Sequence, residues 1–126
     1  MSKAFITFLY SNNAQESWAF YEDVLGLRLC VDQASCRIFE FCDGGFLGVC
    51  SKEDVDITEN IIVTFVEDDI DGRYADLVAK GVETDGEPRQ NDTYGIYHFF
   101  ARDPDGYRLE FQRFLDPDWS KNETRS

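Results

Sequence analysis

The chain has 126 residues, of which 43% are hydrophobic and 15% aromatic, and its formal net charge is −13. This length and composition fit one globular domain that can bury its own core without metal or disulfide support. The charge argues against nucleic acid and anionic membranes as partners, because both are polyanions, and it favours a cationic or hydrophobic ligand.

The sequence contains no leader pattern and no apolar run near the roughly 18 residues that span a bilayer. We therefore expect a cytoplasmic protein. The four cysteines, Cys30, Cys36, Cys42 and Cys50, lie in or beside strand-like runs and lack the close pairs of a zinc site. In a reducing compartment they are expected to be reduced and mostly buried rather than paired in disulfides.

The first half of the chain predicts the order β-α-β-β-β. A strand rich in β-branched and aromatic residues covers residues 4–10, and a helix over 14–24 carries Trp18 and Tyr21 on one stripe and ends at Gly26. Three strand-like runs follow, at residues 27–31, 36–42 and 46–50. The glycine-rich stretch at 44–48 precedes no helix, so it predicts a hairpin turn rather than a phosphate loop.

The second half repeats this order after an acidic stretch. A strand is predicted at 61–66, a helix at about 70–80 that ends at Gly81, and a short strand at 82–84. A loop over 85–93 then leads into a hairpin. Each half therefore has one helix, which covers one face of its sheet, and the other face needs a second sheet, which leaves a cleft.

The hairpin of the second half turns at residues 103–106, which read Asp-Pro-Asp-Gly. Proline presets φ and glycine accepts a positive φ, so the flanking aromatic runs are predicted to pair as strands. After the turn, apolar and polar side chains alternate, which places Glu110 on the face opposite Leu109 and Phe111. Glu110 is therefore the first candidate for chemistry.

Together these patterns predict a single α+β domain over residues 1–115, built from tandem β-α-β-β-β modules. Module 1 covers about 4–50, an acidic linker covers 51–60 and module 2 covers about 61–114. The remaining segment, 116–126, is predicted to be a polar, frayed tail in which Trp119 is the one candidate anchor.

Three stretches resemble the vicinal oxygen chelate superfamily, which contains glyoxalases, bleomycin-resistance proteins and dioxygenases. They are Tyr-Glu-Asp-Val-Leu-Gly-Leu at 21–27, Lys-Gly-Val at 80–82 and Asp-Pro-Asp-Gly-Tyr-Arg-Leu-Glu-Phe at 103–111. The resemblance implies curled mixed sheets that form a cup, with sites often shared across a homodimer. It does not choose among lyases, isomerases, transferases, dioxygenases and metal-free drug binders.

The resemblance also implies where a metal ion would be held in metal-dependent members. Those positions fall on Ile6, on Ile61 or Ile62, on Gly48 or Val49, and on Glu110. Among them only Glu110 has a donor side chain, and catalytic metals usually have at least three protein ligands. We therefore expect no metal cofactor, with an unusual site that uses Glu40, His98 or Cys42 as the alternative.

His98 is the only histidine in the sequence. An odd-length loop would place His98 and Glu110 on the same cup-facing surface, and an even one would separate them. Related thiol transferases favour the first arrangement, in which His98 could act as a general base. The alternative is a structural histidine among aromatic neighbours. For Glu110, the candidate partners are Arg37, Arg108, Arg113 or a cationic ligand.

Aromatic side chains are expected to line part of the cup, although such residues usually form core. The candidate ligand-binding residues are Phe8, Tyr10, Phe46, Phe100, Arg108 and Phe114. Our leading hypothesis is a homodimer that binds a small organic molecule without a metal. The alternatives are a lyase, isomerase or dioxygenase that uses Glu110 with His98, and a structural dimer whose cup is plugged. Pairing of the modules within one chain or across a dimer is left open.

Overall fold

The computed structural model of the protein describes residues 1–121. The described chain divides into two compact units, of which the first comprises Met1–Thr58 and Asp103–Tyr107. The second comprises Glu59–Arg102 and the chain from Arg108 onward. The boundary at residues 58 and 59 lies within the stretch predicted as the acidic linker.

The first unit contains one four-stranded mixed sheet. In chain order its elements are β1 (Phe5–Ser11), α1 (Ala14–Ala19) continued by a π-helical turn (Phe20–Val24), β2 (Arg28–Asp32), β3 (Cys36–Cys42) and β4 (Gly45–Ser51). The strand order is β1-β4-β3-β2, with β1 parallel to β4 and the other pairs antiparallel.

The second unit repeats this topology. Its elements are β5 (Ile62–Val66), α2 (Ile70–Ala79), β6 (Arg89–Asn91), β7 (Ile96–Arg102), β8 (Arg108–Phe114) and a 3-10 turn (Trp119–Lys121). The strand order is β5-β8-β7-β6, and β5 is again parallel to β8. The predicted α+β class with two β-α-β-β-β modules of mixed sheets is therefore confirmed.

One predicted strand of the second unit is wrong. Residues 82–84 form no strand, and Thr84 makes only an isolated bridge with Ala101. The edge strand is instead β6, inside the stretch predicted as a loop, where Arg89 pairs with His98 of β7. The sequence of β6, Arg-Gln-Asn, has no β-branched or aromatic residue, so its extended form comes from the backbone hydrogen bonds that β7 offers.

The helices and the alternating strands build the core of each unit as their sequence patterns indicate. In the second unit, Leu109 and Phe111 are fully buried, and the Phe111 ring stacks on Phe99 at 5.2 Å. The cap of α2 is Asp69, whose Oδ1 accepts the Gly72 N–H at 2.9 Å. No helix of the described residues is long and apolar enough to cross a membrane.

The expectation of reduced cysteines is wrong for one pair. Cys36 and Cys50 lie directly opposite each other on β3 and β4 and form a disulfide. Cys30 is a free, half-buried thiol, and Cys42 is free and exposed. Spacing along the sequence could not show this pairing, because it depends on the register of the β3–β4 hairpin.

The Asp103–Tyr107 turn is anchored by a buried carboxylate. Asp103 is 5% exposed and accepts the Tyr21 hydroxyl at 2.7 Å and the N–H groups of Asp105 and Tyr107 at 2.9 Å each. The hydroxyl of Ser17 donates to the Asp105 carboxylate. Burial raises the pKa of Asp103, and burial together with the charge of Asp103 raises the pKa of Tyr21. The turn motif therefore acts as an anchor within the first unit.

Candidate functional site

The second unit contains a cavity of about 560 Å³ on the face of its sheet that α2 does not cover. Its apolar wall consists of Ile62, Ile96, Phe100 and Phe114. Its polar side chains are Arg89, Asn91, Tyr94, His98, Glu110 and Gln112. An apolar pocket with a few convergent polar groups is the usual form of a small-molecule site.

His98 and Glu110 form a hydrogen-bonded pair in the wall of this cavity. The His98 Nδ1 lies 2.6 Å from the Glu110 Oε2, and the two residues are 7% and 8% exposed. They share a face because Phe100 is the direct partner of Glu110 in the β7–β8 ladder, two residues after His98. Of the two arrangements considered from the sequence, the structure has the one in which both side chains share a surface.

The second oxygen of Glu110 is also engaged, because Oε1 accepts the Thr64 hydroxyl at 3.0 Å. None of the three candidate arginines forms an ion pair with Glu110. Arg108 lies over the Phe100 ring at 4.6 Å, and Arg113 lies over the Tyr97 ring at 5.5 Å. Arg37 belongs to the first unit, where it lies over Trp18. Glu110 pairs instead with the imidazole of His98 and the hydroxyl of Thr64.

The six predicted ligand-binding residues fall in two places. Phe100 and Phe114 line the cavity of the second unit, and Arg108 contacts Phe100. The other three belong to the first unit, on the face of its sheet that includes Ile6 and Gly48: Phe8, Tyr10 and Phe46. There Phe8 and Tyr10 are each 48% exposed, so they are surface aromatics of the first unit rather than its core.

Trp119 holds the described part of the C-terminal segment against the cavity wall. Its ring stacks on the Phe114 ring at 4.1 Å with an interplanar angle of 16°. The predicted anchor role of Trp119 is therefore confirmed. Of the tail predicted to be frayed, residues 122–126 lie outside the described residues.

The two sheets of repeated topology, the motif-bearing hairpin and the cavity agree with a known family. The family model described as the glyoxalase/bleomycin resistance protein/dioxygenase superfamily matches residues 4–111. The chain belongs to this superfamily. A metallothiol transferase FosB from Lysinibacillus sphaericus (strain C3-41) is 32% identical over 107 residues, which cover 79% of this chain and 74% of that protein.

Solved structures of the glyoxalase/bleomycin resistance protein/dioxygenase superfamily share this fold. A member from Nocardioides superposes with a TM-score of 0.76 at 17% identity, covering 100% of this chain and 89% of the other. A lactoylglutathione lyase from Agrobacterium tumefaciens has a TM-score of 0.71 at 22% identity, covering 90% and 94%. At these identities the likeness shows the fold alone.

Of the positions that the resemblance assigns to metal ligands, all except Glu110 hold residues whose side chains cannot bind a metal. Glu110 has its counterpart in Gly48, since each lies on the last strand of its module opposite the first strand, Glu110 facing Thr64 and Gly48 facing Phe8. A Cβ at position 48 would lie 2.4 Å from the Phe8 ring, so no donor side chain fits there beside this phenylalanine. The described residues contain no group of three or more histidine, cysteine, aspartate or glutamate side chains that could hold a metal. The residues present do not fit the metal.

The sequence did not point to five polar groups of the cavity region, which are Thr64, Arg89, Asn91, Tyr94 and Gln112. Gln112 could have been predicted from the sequence, because it follows Glu110 by two residues and so lies on the same strand face. Arg89 and Asn91 could not have been predicted, because β6 has no strand signal and its pairing with β7 sets which side chains face the cavity.

Proposed function

We propose that the cavity of the second unit binds a small organic molecule with a flat, apolar or aromatic body, and that it does so without a metal ion. The observation that carries the proposal is a cavity of about 560 Å³ walled by Phe100, Phe114 and Ile96. Stacking and apolar contact with such rings favour a planar ligand. The polar side chains at the other wall would orient it.

We propose a site without a metal because the side chains of the cavity offer too few donor atoms to an ion. Both carboxylate oxygens of Glu110 already have protein partners, His98 and Thr64. Ile62 presents only carbon atoms to the same cavity. A divalent ion would compete with the partners of Glu110 and would gain at most two protein ligands, fewer than catalytic sites ordinarily use.

The test is titration with 2-naphthamide, a neutral flat probe, followed by the methyl signals of Ile62 and Ile96 in NMR spectra. We expect saturable binding that weakens about tenfold in Phe100→Ala, because the probe loses one aromatic wall. The matched control is Phe5→Ala, since Phe5 is 72% exposed on β1 of the first unit. This variant should bind the probe as the wild type does.

Two results would contradict the proposal. The first is that 2-naphthamide leaves both isoleucine signals unchanged at millimolar concentration. The second is a tightly bound metal, because purification from medium supplemented with nickel, zinc, manganese and iron should leave well under about 0.1 equivalent of any of them. One equivalent of bound metal per chain would show a metal site that the donor side chains of the described residues do not provide.

A second candidate function is catalysis by the His98–Glu110 pair. The carboxylate holds Nδ1 of His98, and Nε2 has no hydrogen bond to the described residues, so Nε2 is the nitrogen available to a bound substrate. A histidine oriented by a carboxylate in a cleft suits general base catalysis. A lyase, isomerase or dioxygenase reaction would then be expected on thiol hemiacetals, epoxides or catechols.

For this candidate, Glu110→Gln should lower kcat by about 100-fold on any substrate of that panel, because the amide no longer supports a cationic imidazole. Thr64→Val is the control, since it removes a contact to Glu110 and keeps the charge. Equal losses in both variants would indicate a structural role for the pair. A panel without turnover would favour the binding function alone.

A homodimer and a cytoplasmic location stay proposals as well. The side chains of Ile6, Phe8 and Tyr10 are 41–48% exposed on one face of β1, and a second copy of the chain could cover them. Light scattering of the purified protein tests the dimer. The Cys36–Cys50 disulfide is of a kind that is rare in the cytosol, so cell fractionation is the direct test of the location.

A further inference from the structure

We propose that the ligand of the second-unit cavity is an aromatic carboxylate whose anionic group pairs with Arg89. This inference rests on the proposed binding function and names the class of ligand. It differs from the cationic alternative of the earlier expectation, drawn from the net charge, that the ligand is cationic or hydrophobic. Three observations support it: the engagement of Glu110, the open guanidinium of Arg89, and the position of Arg89 in the sheet.

The first observation concerns Glu110, which is the only acidic side chain among the described residues that line the cavity. One of its oxygens lies 2.6 Å from the His98 ring nitrogen and the other accepts the Thr64 hydroxyl. Both oxygens therefore already have a protein partner, and Glu110 is only 8% exposed, which leaves little of the carboxylate open to a cationic ligand. The acid is therefore a poor receptor for a cation.

The second observation concerns Arg89, which is exposed and lines the cavity from β6. Among the described residues, no carboxylate lies within the 4.0 Å of an ion pair to its guanidinium. A guanidinium presents a planar fork of N–H groups that matches a carboxylate, and such charge-assisted pairs are short and strong. Arg89 is therefore the charged group that is open to a ligand.

The third observation is the position of Arg89 in the sheet. Arg89 is the direct partner of His98 across β6 and β7, and His98 in turn bonds to Glu110 of β8, so these three side chains share one face of the sheet. Asn91 lies two residues further on β6, where its amide can donate to the same anion. The Phe100 and Phe114 rings supply the apolar wall for the rest of the ligand.

The large negative charge of the whole chain does not oppose this assignment at close range. At physiological ionic strength the Debye length is about 8 Å, so charges beyond the cavity are largely screened at the ligand. Arg89 is the single cationic side chain among the described residues that line the cavity, and it suits a monoanion better than a phosphate dianion, because a second negative charge would face Glu110 without a partner. This balance favours a carboxylate over a phosphate ester.

The experiment compares four probes of one shape, which are 2-naphthoate, 2-naphthamide, 2-naphthylmethylamine and 2-naphthyl phosphate. Their dissociation constants are measured by NMR titration at 150 mM salt with the wild type, Arg89→Gln and Arg89→Lys. We expect 2-naphthoate to bind about tenfold more tightly than the amide, to lose that preference in Arg89→Gln and to keep part of it in Arg89→Lys.

Arg113→Gln is the matched control, since it removes an equal charge from β8 on the side of the sheet where Arg113 lies over Tyr97. It should keep the full preference for 2-naphthoate. Equal affinity for naphthoate, amide and amine would overturn the inference and leave the proposed binding function intact. Tighter binding of the phosphate, or a preference that survives Arg89→Gln, would also overturn it. Failure of all four probes to bind would overturn both proposals.

Discussion

Replacement of Asp103 by alanine is expected to lower the free energy of unfolding by about 4 kcal/mol. The buried carboxylate accepts three hydrogen bonds, from the Tyr21 hydroxyl and from the N–H groups of Asp105 and Tyr107. Alanine leaves all three donors without their acceptor, and Tyr21 is fully buried. Each buried donor without a partner costs about 1–3 kcal/mol, which makes this a larger loss than a typical point mutation.

Chemical denaturation monitored by tryptophan fluorescence measures this loss. Tyr21→Phe should cost about 1–2 kcal/mol, because it removes one donor and leaves Asp103 with two backbone N–H groups. Asp85→Ala is the control for loss of an exposed carboxylate in a turn of the second unit, and it should change stability by less than about 0.5 kcal/mol. A loss in Asp103→Ala as small as in Asp85→Ala would contradict the anchor role.

The contribution of Asp103 to the free energy of unfolding should decrease as the pH rises. Burial raises the pKa of Asp103 above its usual value of 3.8, although its hydrogen bonds oppose the shift. The folded state therefore holds this proton more tightly than the unfolded state. Its contribution to stability is complete below pH 3.8 and is lost as the pH rises through the folded-state pKa. The stability of the wild type relative to Asp103→Asn should therefore fall across this window, and a rise would contradict the assignment.

Reduction of the Cys36–Cys50 disulfide is expected to lower the free energy of unfolding by about 3 kcal/mol, which corresponds to a fall in Tm of about 10 °C. The two cysteines are separated by 14 residues, so the cross-link restricts a loop of moderate length in the unfolded chain. The measurement is thermal unfolding with and without dithiothreitol. A double variant, Cys36→Ala with Cys50→Ala, should melt at the lower temperature and should not respond to the reductant.

Cys42→Ser provides the control for general effects of the reductant, because Cys42 is a free, exposed thiol. It should keep the response of the wild type. Thiol titration of the unfolded, unreduced protein should find only the two free cysteines, Cys30 and Cys42. Four reactive thiols under these conditions would show that the pair is not oxidised in the purified protein.

The sequence predicted those features of the fold that depend on neighbours along the chain. The Asp-Pro-Asp-Gly turn, the alternation around Glu110 and the helix ends at Gly26 and Gly81 are all local patterns, and each agrees with the structure. The family motifs add information on how segments that are distant in the sequence belong to one fold. They therefore predicted two β-α-β-β-β modules with mixed sheets, whereas the strand order within each sheet comes from the structure.

Features that depend on register across strands could not be predicted in the same way. The pairing of Cys36 with Cys50 requires the hairpin register, and a bulge near Cys42 shifts that register within β3. The place of Arg89 depends on an edge strand without strand propensity. His98 and Glu110 share a face only because the turn between Arg102 and Arg108 has an odd number of residues, an outcome that the sequence left open.

The matching registers of the two sheets show that equivalent positions of the two modules hold different side chains. Cys36 and Cys50 occupy the rung of the β3–β4 ladder that corresponds to His98 and Gln112 in β7–β8. In the first unit this rung is a covalent cross-link, and in the second unit it is an imidazole and an amide that line the cavity. A reducing agent would therefore break the rung of the first unit and leave the equivalent rung of the second unit chemically unchanged.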